Sequence, residues 1–213
     1  LGLSATPARQ DGMHPIMFMQ CGDIAYESKK EIKKIHTLKT IVSTFEALSD
    51  DFSLILNEMV EDFDRNNLII SEIEKLKNRN ILVLSERIEH LNILYHILDA
   101  KKIKSTLIHG GLKSKMKKEF LKEANSSSII LSTSSFIGEG IDFSHLDAII
   151  LTMPVSYWGR IVQYLGRIGR DGQECIAVDF FDENTPMLRS SFQKRQKGYK
   201  KMGYISLNEK GLF

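Results

Sequence analysis

Residues 80–111 read NILVLSERIEHLNILYHILDAKKIKSTLIHGG. Four consecutive apolar residues, Ile81 to Leu84, are too few for a helix and suit a strand buried on both faces. Ile88, Leu91, Leu94, Tyr95 and Leu98 then recur at helical spacing, which predicts an amphipathic helix over 86–100. Ser105-Thr106-Leu107-Ile108 is strand-like again and stops at Gly110-Gly111. Strand, helix and strand in so short a span describe a βαβ unit, whose two strands run parallel.

The same alternation continues downstream. Residues 113–123 form a Lys-rich helical stretch, and Ser128–Ser132 a third strand. Ala148–Leu151 is a fourth, halted before Pro154; residues 157–168 have helical spacing, and Cys175–Phe180 is a fifth strand. Such strands predict an α/β fold, a parallel sheet with helices on both faces. Their carboxyl ends then share one edge, where ligands of open α/β sheets bind. The polar and glycine-rich segments 109–111 and 132–142 follow predicted strands and therefore fall at that edge. Upstream, Ile35 to Phe45 has strand character, and residues 52–63 and 67–78 have helical spacing.

The chain has 213 residues, 42% hydrophobic and 26% charged, which argues against a disordered, collagen-like or coiled-coil chain. A net charge of +2 points to no partner by itself, so the placement of charge has to decide. Cys21 and Cys175 lie far apart without a CxxC pair, which speaks against a zinc ribbon or a disulfide framework. No apolar run reaches the ~18–20 residues of a membrane span, so no membrane partner is expected. A cytoplasmic or nucleoid-associated protein is the expectation that follows.

Three segments carry chemistry. The strongest is Gln163-Tyr164-Leu165-Gly166-Arg167-Ile168-Gly169-Arg170. Arginines three apart share one face of a helix end, and their forks match phosphate oxygens. The second is Ser132-Thr133-Ser134-Ser135-Phe136-Ile137-Gly138-Glu139-Gly140-Ile141-Asp142-Phe143. Hydroxyls and free N–H groups at a strand end suit nucleic-acid phosphate, and Asp142 suits a ribose hydroxyl; the plain reading is a loop with a helix cap at Ser134 or Ser135. The third is Leu1-Gly2-Leu3-Ser4-Ala5-Thr6-Pro7, followed by Arg9 and Asp11-Gly12.

Together these segments resemble the C-terminal half of superfamily 2 helicases and translocases of the DEAD/DEAH type. Ser4-Ala5-Thr6 looks like their motif III, Ile81–Arg87 like motif IV, Thr133–Asp142 like motif V and Gln163–Arg170 like motif VI. The forms LGLSATPARQDG and GEGIDF are closest to the branch of excision-repair-type helicases and restriction-enzyme motor subunits. The resemblance implies a RecA-like, P-loop NTPase-type second motor domain. It implies Arg167 and Arg170 as arginine fingers toward ATP, with Gln163 positioning them or the attacking water. It implies Gly140 and Asp142 beside the nucleotide, and Ser4 and Thr6 between the ATP site and nucleic acid. Thr133 and Ser134, with Ser85, His109, Gly110 and Gly111, would hold phosphates of the tracked strand.

The chain contains no GxxxxGK[ST] phosphate loop and no Asp-Glu-x-His or Asp-Glu-x-Asp box. Asp182-Glu183-Asn184-Thr185 comes nearest and reads as a loop with a helix cap. The family places both motifs upstream of Ser-Ala-Thr. The expectation is a piece of a longer protein: 1–24 ends a first RecA-like motor domain, 25–64 is a linker or insertion, and 65–213 is the second motor domain. ATP and Mg²⁺ are expected only with that first domain of the same parent chain, and the fragment alone is expected to be inactive. DNA is expected in preference to RNA. The rival readings are a non-catalytic nucleic-acid-binding scaffold that keeps the motor fold, and an unrelated α/β enzyme whose GRIGR holds a phosphorylated metabolite. The basic stretch Lys194–Lys201, with Phe192, Tyr199 and Tyr204 interleaved, reads either as phosphate contacts with base stacking or as an amphipathic terminal helix.

Overall fold

A computed structural model describes residues 14–26, 36–112, 114–124, 126–138, 145–155, 164–166, 174–201 and 203–207. Helix α1 (His14–Cys21) comes first, followed by strand β1 (His36–Ser43). Next come α2 (Phe52–Glu61), α3 (Phe63–Lys75), β2 (Ile81–Ser85) and α4 (Ile88–Ala100). Then follow β3 (Thr106–Ile108), α5 (Ser114–Ala124), β4 (Ile129–Thr133), the short α6 (Ser134–Gly138) and β5 (Ala148–Leu151). Strand β6 (Cys175–Asp182), α7 (Pro186–Lys201) and β7 (Tyr204–Ser206) complete the described elements.

The strands make a seven-stranded sheet in the order β3-β4-β2-β5-β6-β1-β7, and every neighbouring pair is parallel. Period-two alternation divides the strand side chains between two cores. Ile81 and Val83 of β2 face Ile69, Ile70 and Ile73 of α3 and Leu91, Leu94 and Leu98 of α4. Leu82 and Leu84 face the opposite side, with Ala124 of α5, Phe136 and Ile137 of α6, and Tyr199 of α7. Each such Leu or Ile contributes about 1.5–3 kcal/mol by leaving water. The parallel sheet covered on both faces is therefore present as the apolar runs predict.

Residues 25–64, expected as a linker or insertion, supply β1 and α2. Strand β1 pairs with β6 from His36↔Cys175 to Ser43↔Asp182, inside the sheet rather than beside it. Helix α2 rests Ile55, Met59 and Val60 on Phe45, Met153 and Leu188, a small third core over the carboxyl edge. Asp51 starts α2, its carboxylate accepting from Ser53 N (2.9 Å) and Leu54 N (3.0 Å). Asp62 ends α2 and caps α3, accepting from Arg65 N at 2.7 Å. The chain thus turns between two helices without a loop.

Strand β7 carries no apolar run. It is held by backbone pairing to β1 and by Tyr204 stacked on His36 at 4.7 Å. Gly203 leads into it with φ +71°, a conformation that favours glycine.

Candidate functional site

Parallel pairing fixes which polar residues meet. Register places Ser85 opposite Thr133 and Ile108 beside Ser132, so the ends of β2, β4 and β3 lie side by side. Of the residues expected to hold strand phosphates, Ser85, His109, Gly110, Gly111, Thr133 and Ser134 are all described, and all lie along this one carboxyl edge. The residues expected at ATP (Gln163, Arg167, Arg170, Gly140, Asp142 and Thr6) lie outside the described residues, as do Ser4 and most of the 157–168 helical stretch.

Ser85 does not offer its hydroxyl to the edge. It is 1% exposed, its Oγ donates to His90 Nδ1 (3.1 Å), and it accepts from Arg87 N (3.1 Å). Strand pleat turns that side chain toward α4, and both bonding directions of its hydroxyl are used inside. Thr133 is also buried, its Oγ1 accepting from Ser135 Oγ at 3.3 Å. Ser134 donates to Glu86 Oε1 at 2.6 Å.

The open part of the edge is the turn after β3. Gly110 and Gly111 are exposed, and Leu112 N closes the turn on His109 O at 3.2 Å. A Cβ at Gly111 would stand 3.1 Å from the His109 ring, so a side chain there would crowd that ring. Burial lowers the His109 pKa, keeping the ring neutral at neutral pH. Among the described residues no three His, Cys, Asp or Glu side chains converge to hold a metal ion.

Beneath the edge lies a buried polar network with no counterpart in the sequence reading. Asn66 Nδ2 donates to Val60 O (2.9 Å), which leaves Asn66 Oδ1 to accept from His90 Nε2–H (2.8 Å). His90 Nδ1 is then a bare acceptor for Ser85. Burial, with help from Arg65, pushes the His90 pKa down to about 3. Arg65 itself clamps Asp182 through Nε (2.8 Å) and Nη2 (3.3 Å) and donates Nη1 to Thr152 O at 2.7 Å. Burial alone would raise the Asp182 pKa; the Arg65 guanidinium and the Ser43 hydroxyl overcome it and hold the carboxyl below its usual range. Asp182 of the acidic-looking Asp182–Thr185 stretch is therefore a structural anion, and Thr185 Oγ1 accepts from Ala47 N at 3.0 Å.

The basic C-terminal stretch resolves into a buried face and a wet one. Phe192, Tyr199 and Tyr204 are buried, so they are packing residues and not platforms for bases. Lys194, Lys197 and Lys200 point to solvent.

The sequence profile of the helicase conserved C-terminal domain matches residues 64–172. A protein of invertebrate iridescent virus 6, named "Putative helicase 161L", is 27% identical over 99% of this chain and 51% of its own length. A protein of African swine fever virus, named "Putative ATP-dependent RNA helicase QP509L", is 28% identical over 96% of this chain and 46% of its own length. The chain thus spans about half the length of these relatives. Among solved structures, S. cerevisiae Dbp5 bound to RNA and ADP BeF3 superposes with a TM-score of 0.60 at 15% identity, over 81% of this chain and 41% of that one. At that identity the likeness is one of fold, the RecA-like arrangement of a helicase C-terminal domain.

Proposed function

Since this chain belongs to the helicase conserved C-terminal domain family, we propose that it forms the second motor half of an ATP-dependent nucleic-acid helicase or translocase. The observation that carries the reading is the shared carboxyl edge, where the ends of β2, β3 and β4 line up in register within the family-matched residues. Partnered with a phosphate-loop domain, Arg167 and Arg170 stabilise charge on the γ-phosphoryl group as water attacks and ADP leaves. Gln163 orients them or the water, Gly140 and Asp142 border the nucleotide, and Thr6 links the two sites. Mg²⁺ would be held by residues of the first motor domain and would supply neutralisation of the developing phosphate charge.

His109, Gly110, Gly111, Thr133 and Ser134 hold the tracked strand through its phosphates. Phosphate contacts do not distinguish DNA from RNA, and the expected preference for DNA draws no support from the relatives. One is named an RNA helicase, and the yeast structure holds RNA. The proposal therefore covers both nucleic acids. At a finer level it follows LGLSATPARQDG and GEGIDF toward the excision-repair and restriction-motor branch.

The test is ATP turnover by the protein that carries this chain together with a first motor domain, with single- and double-stranded RNA and DNA added in turn. At least one of the four should stimulate turnover, and R170A should cut the rate about 10³-fold or more. Salt-dependent nucleic-acid binding without any turnover would support the scaffold reading instead. Binding of small phosphates without nucleic-acid binding would support the metabolite enzyme.

A further inference from the structure

Glu86 lies in the Ile81–Arg87 segment but is given no role of its own in the function proposed above. It sits where β2 ends, and three successive residues there point three ways. Ser85 turns inward to His90, Arg87 reaches toward Ser53 of α2 (Nη2 to Oγ, 3.4 Å), and Glu86 reaches across the sheet edge. Glu86 Oε1 accepts from the Ser134 hydroxyl at 2.6 Å and lies 3.5 Å from the Tyr164 hydroxyl. Ser134 opens α6 straight after β4, whereas Tyr164 belongs to the Gln163–Arg170 segment. A single carboxylate oxygen thus stands between the segment proposed to hold strand phosphate and the segment proposed to hold the ATP-facing arginines.

Surface carboxylates with loose partners matter little, but this one is set in a drier place. Ser134 and Tyr164 are each 5% exposed, and Leu84, Leu151 and Val155 line the same crevice. The turn that carries Glu86 is anchored from below by the Ser85–His90–Asn66 chain of hydrogen bonds. A short charge-assisted bond in such surroundings sets the position of both partners.

We propose that Glu86 is a positioning residue that couples nucleic-acid binding at Ser134 to the arginine-bearing segment through Tyr164. The Ser134 hydroxyl has one proton to donate. A strand phosphate oxygen that takes it releases Glu86 Oε1, and the same oxygen is the one nearest Tyr164. Occupancy at the strand site is thereby felt in the Gln163–Arg170 segment. The inference rests on the motor function proposed above.

The experiment uses the protein that joins this chain to its first motor domain and measures ATP turnover with and without single-stranded RNA or DNA. E86A should lower the ratio of stimulated to unstimulated turnover about tenfold, the size expected for one charge-assisted hydrogen bond. Its KM for ATP should stay within about twofold, because the bond is not made to ATP. E86Q should keep most of the ratio, since its amide oxygen still accepts from Ser134. Y164F should lower the ratio as well, and the E86A/Y164F pair should lose no more than E86A alone. A wild-type ratio in E86A, an E86Q as impaired as E86A, or losses that multiply in the double variant would each overturn the proposal. Where E86A fails to fold by circular dichroism, E86Q and Y164F decide it, and a normal ratio in Y164F overturns it. A wild-type protein that no nucleic acid stimulates overturns the motor function itself, a result distinct from any of these.

Discussion

His90 has no surface exposure and sits with one ring nitrogen donating to Asn66 and the other accepting from Ser85. Such a site holds the neutral ring and penalises the charged one. The ordinary value near 6.5 applies once the chain unfolds, against about 3 in the fold. Below pH 6.5 the unfolded chain therefore binds the extra proton, and stability falls with pH. The contribution is complete above 6.5 and is lost as the pH drops toward 3. From His90 alone the loss at pH 5 comes to about 2 kcal/mol. Urea midpoints at pH 7.5 and pH 5 should therefore drop further for wild type than for H90Q, by about that amount. Asp182 acts in a lower window, because its depressed carboxyl withdraws stability only below its ordinary value of 3.8. An H90Q protein with an undiminished acid slope would place the titration elsewhere. None of this was legible in the sequence. His90 and Asn66 are 24 positions apart and Arg65 and Asp182 are 117 apart, so no local pattern announces either pair. Glu86 was missed for the same reason, since the residue that explains it follows a different strand.

Helix α7 shows what a charge run does when one member is not on the surface. Arg195 is buried, donating Nε to Asp179 Oδ2 (2.7 Å), Nη2 to Phe180 O (3.0 Å) and Nη1 to Ser191 Oγ (3.2 Å). Tyr199 adds a bond to the same Asp179 oxygen at 2.8 Å. Removing one partner of such a pair leaves a buried charge, so R195A should cost about 3–5 kcal/mol. K194A, K197A and K200A lie on the wet face and should each shift stability by no more than about 0.5 kcal/mol. Thermal melts of the four variants check this, and equal effects would mean that the helix does not pack as described. From sequence alone the two faces of this segment look alike, because Lys and Arg share a charge and only the position of Asp179 on β6 separates them. Strands β2, β4 and β5 were legible because burial on both faces leaves a near-continuous apolar run, and β6 opens on one from Cys175 to Val178. Strand β1 was visible only as strand character, since Thr37, Lys39 and Thr40 interrupt its apolar residues. Strand β7, three residues long with Ile205 exposed, offers no hydrophobic signal at all.

At the scale of the molecule, the described residues bury an apolar layer on each face of the sheet. What the chain lacks is chemical: the sequence holds no phosphate loop and no paired carboxylates in a helicase-type box. Arginine fingers stabilise charge on a phosphoryl group that another surface has to bind and align. Residues 1–213 alone should therefore unfold cooperatively in urea and yet show no ATP turnover above background. Joined to a first motor domain, the same chain should turn ATP over, and R167A or R170A should abolish the gain without moving the urea midpoint by more than about 0.5 kcal/mol equivalent. A malachite-green phosphate assay on both forms, with and without nucleic acid, separates the cases. Turnover by residues 1–213 alone that R170A removes would mean that this chain builds a complete hydrolytic site, and the division of labour between two motor halves would then be wrong.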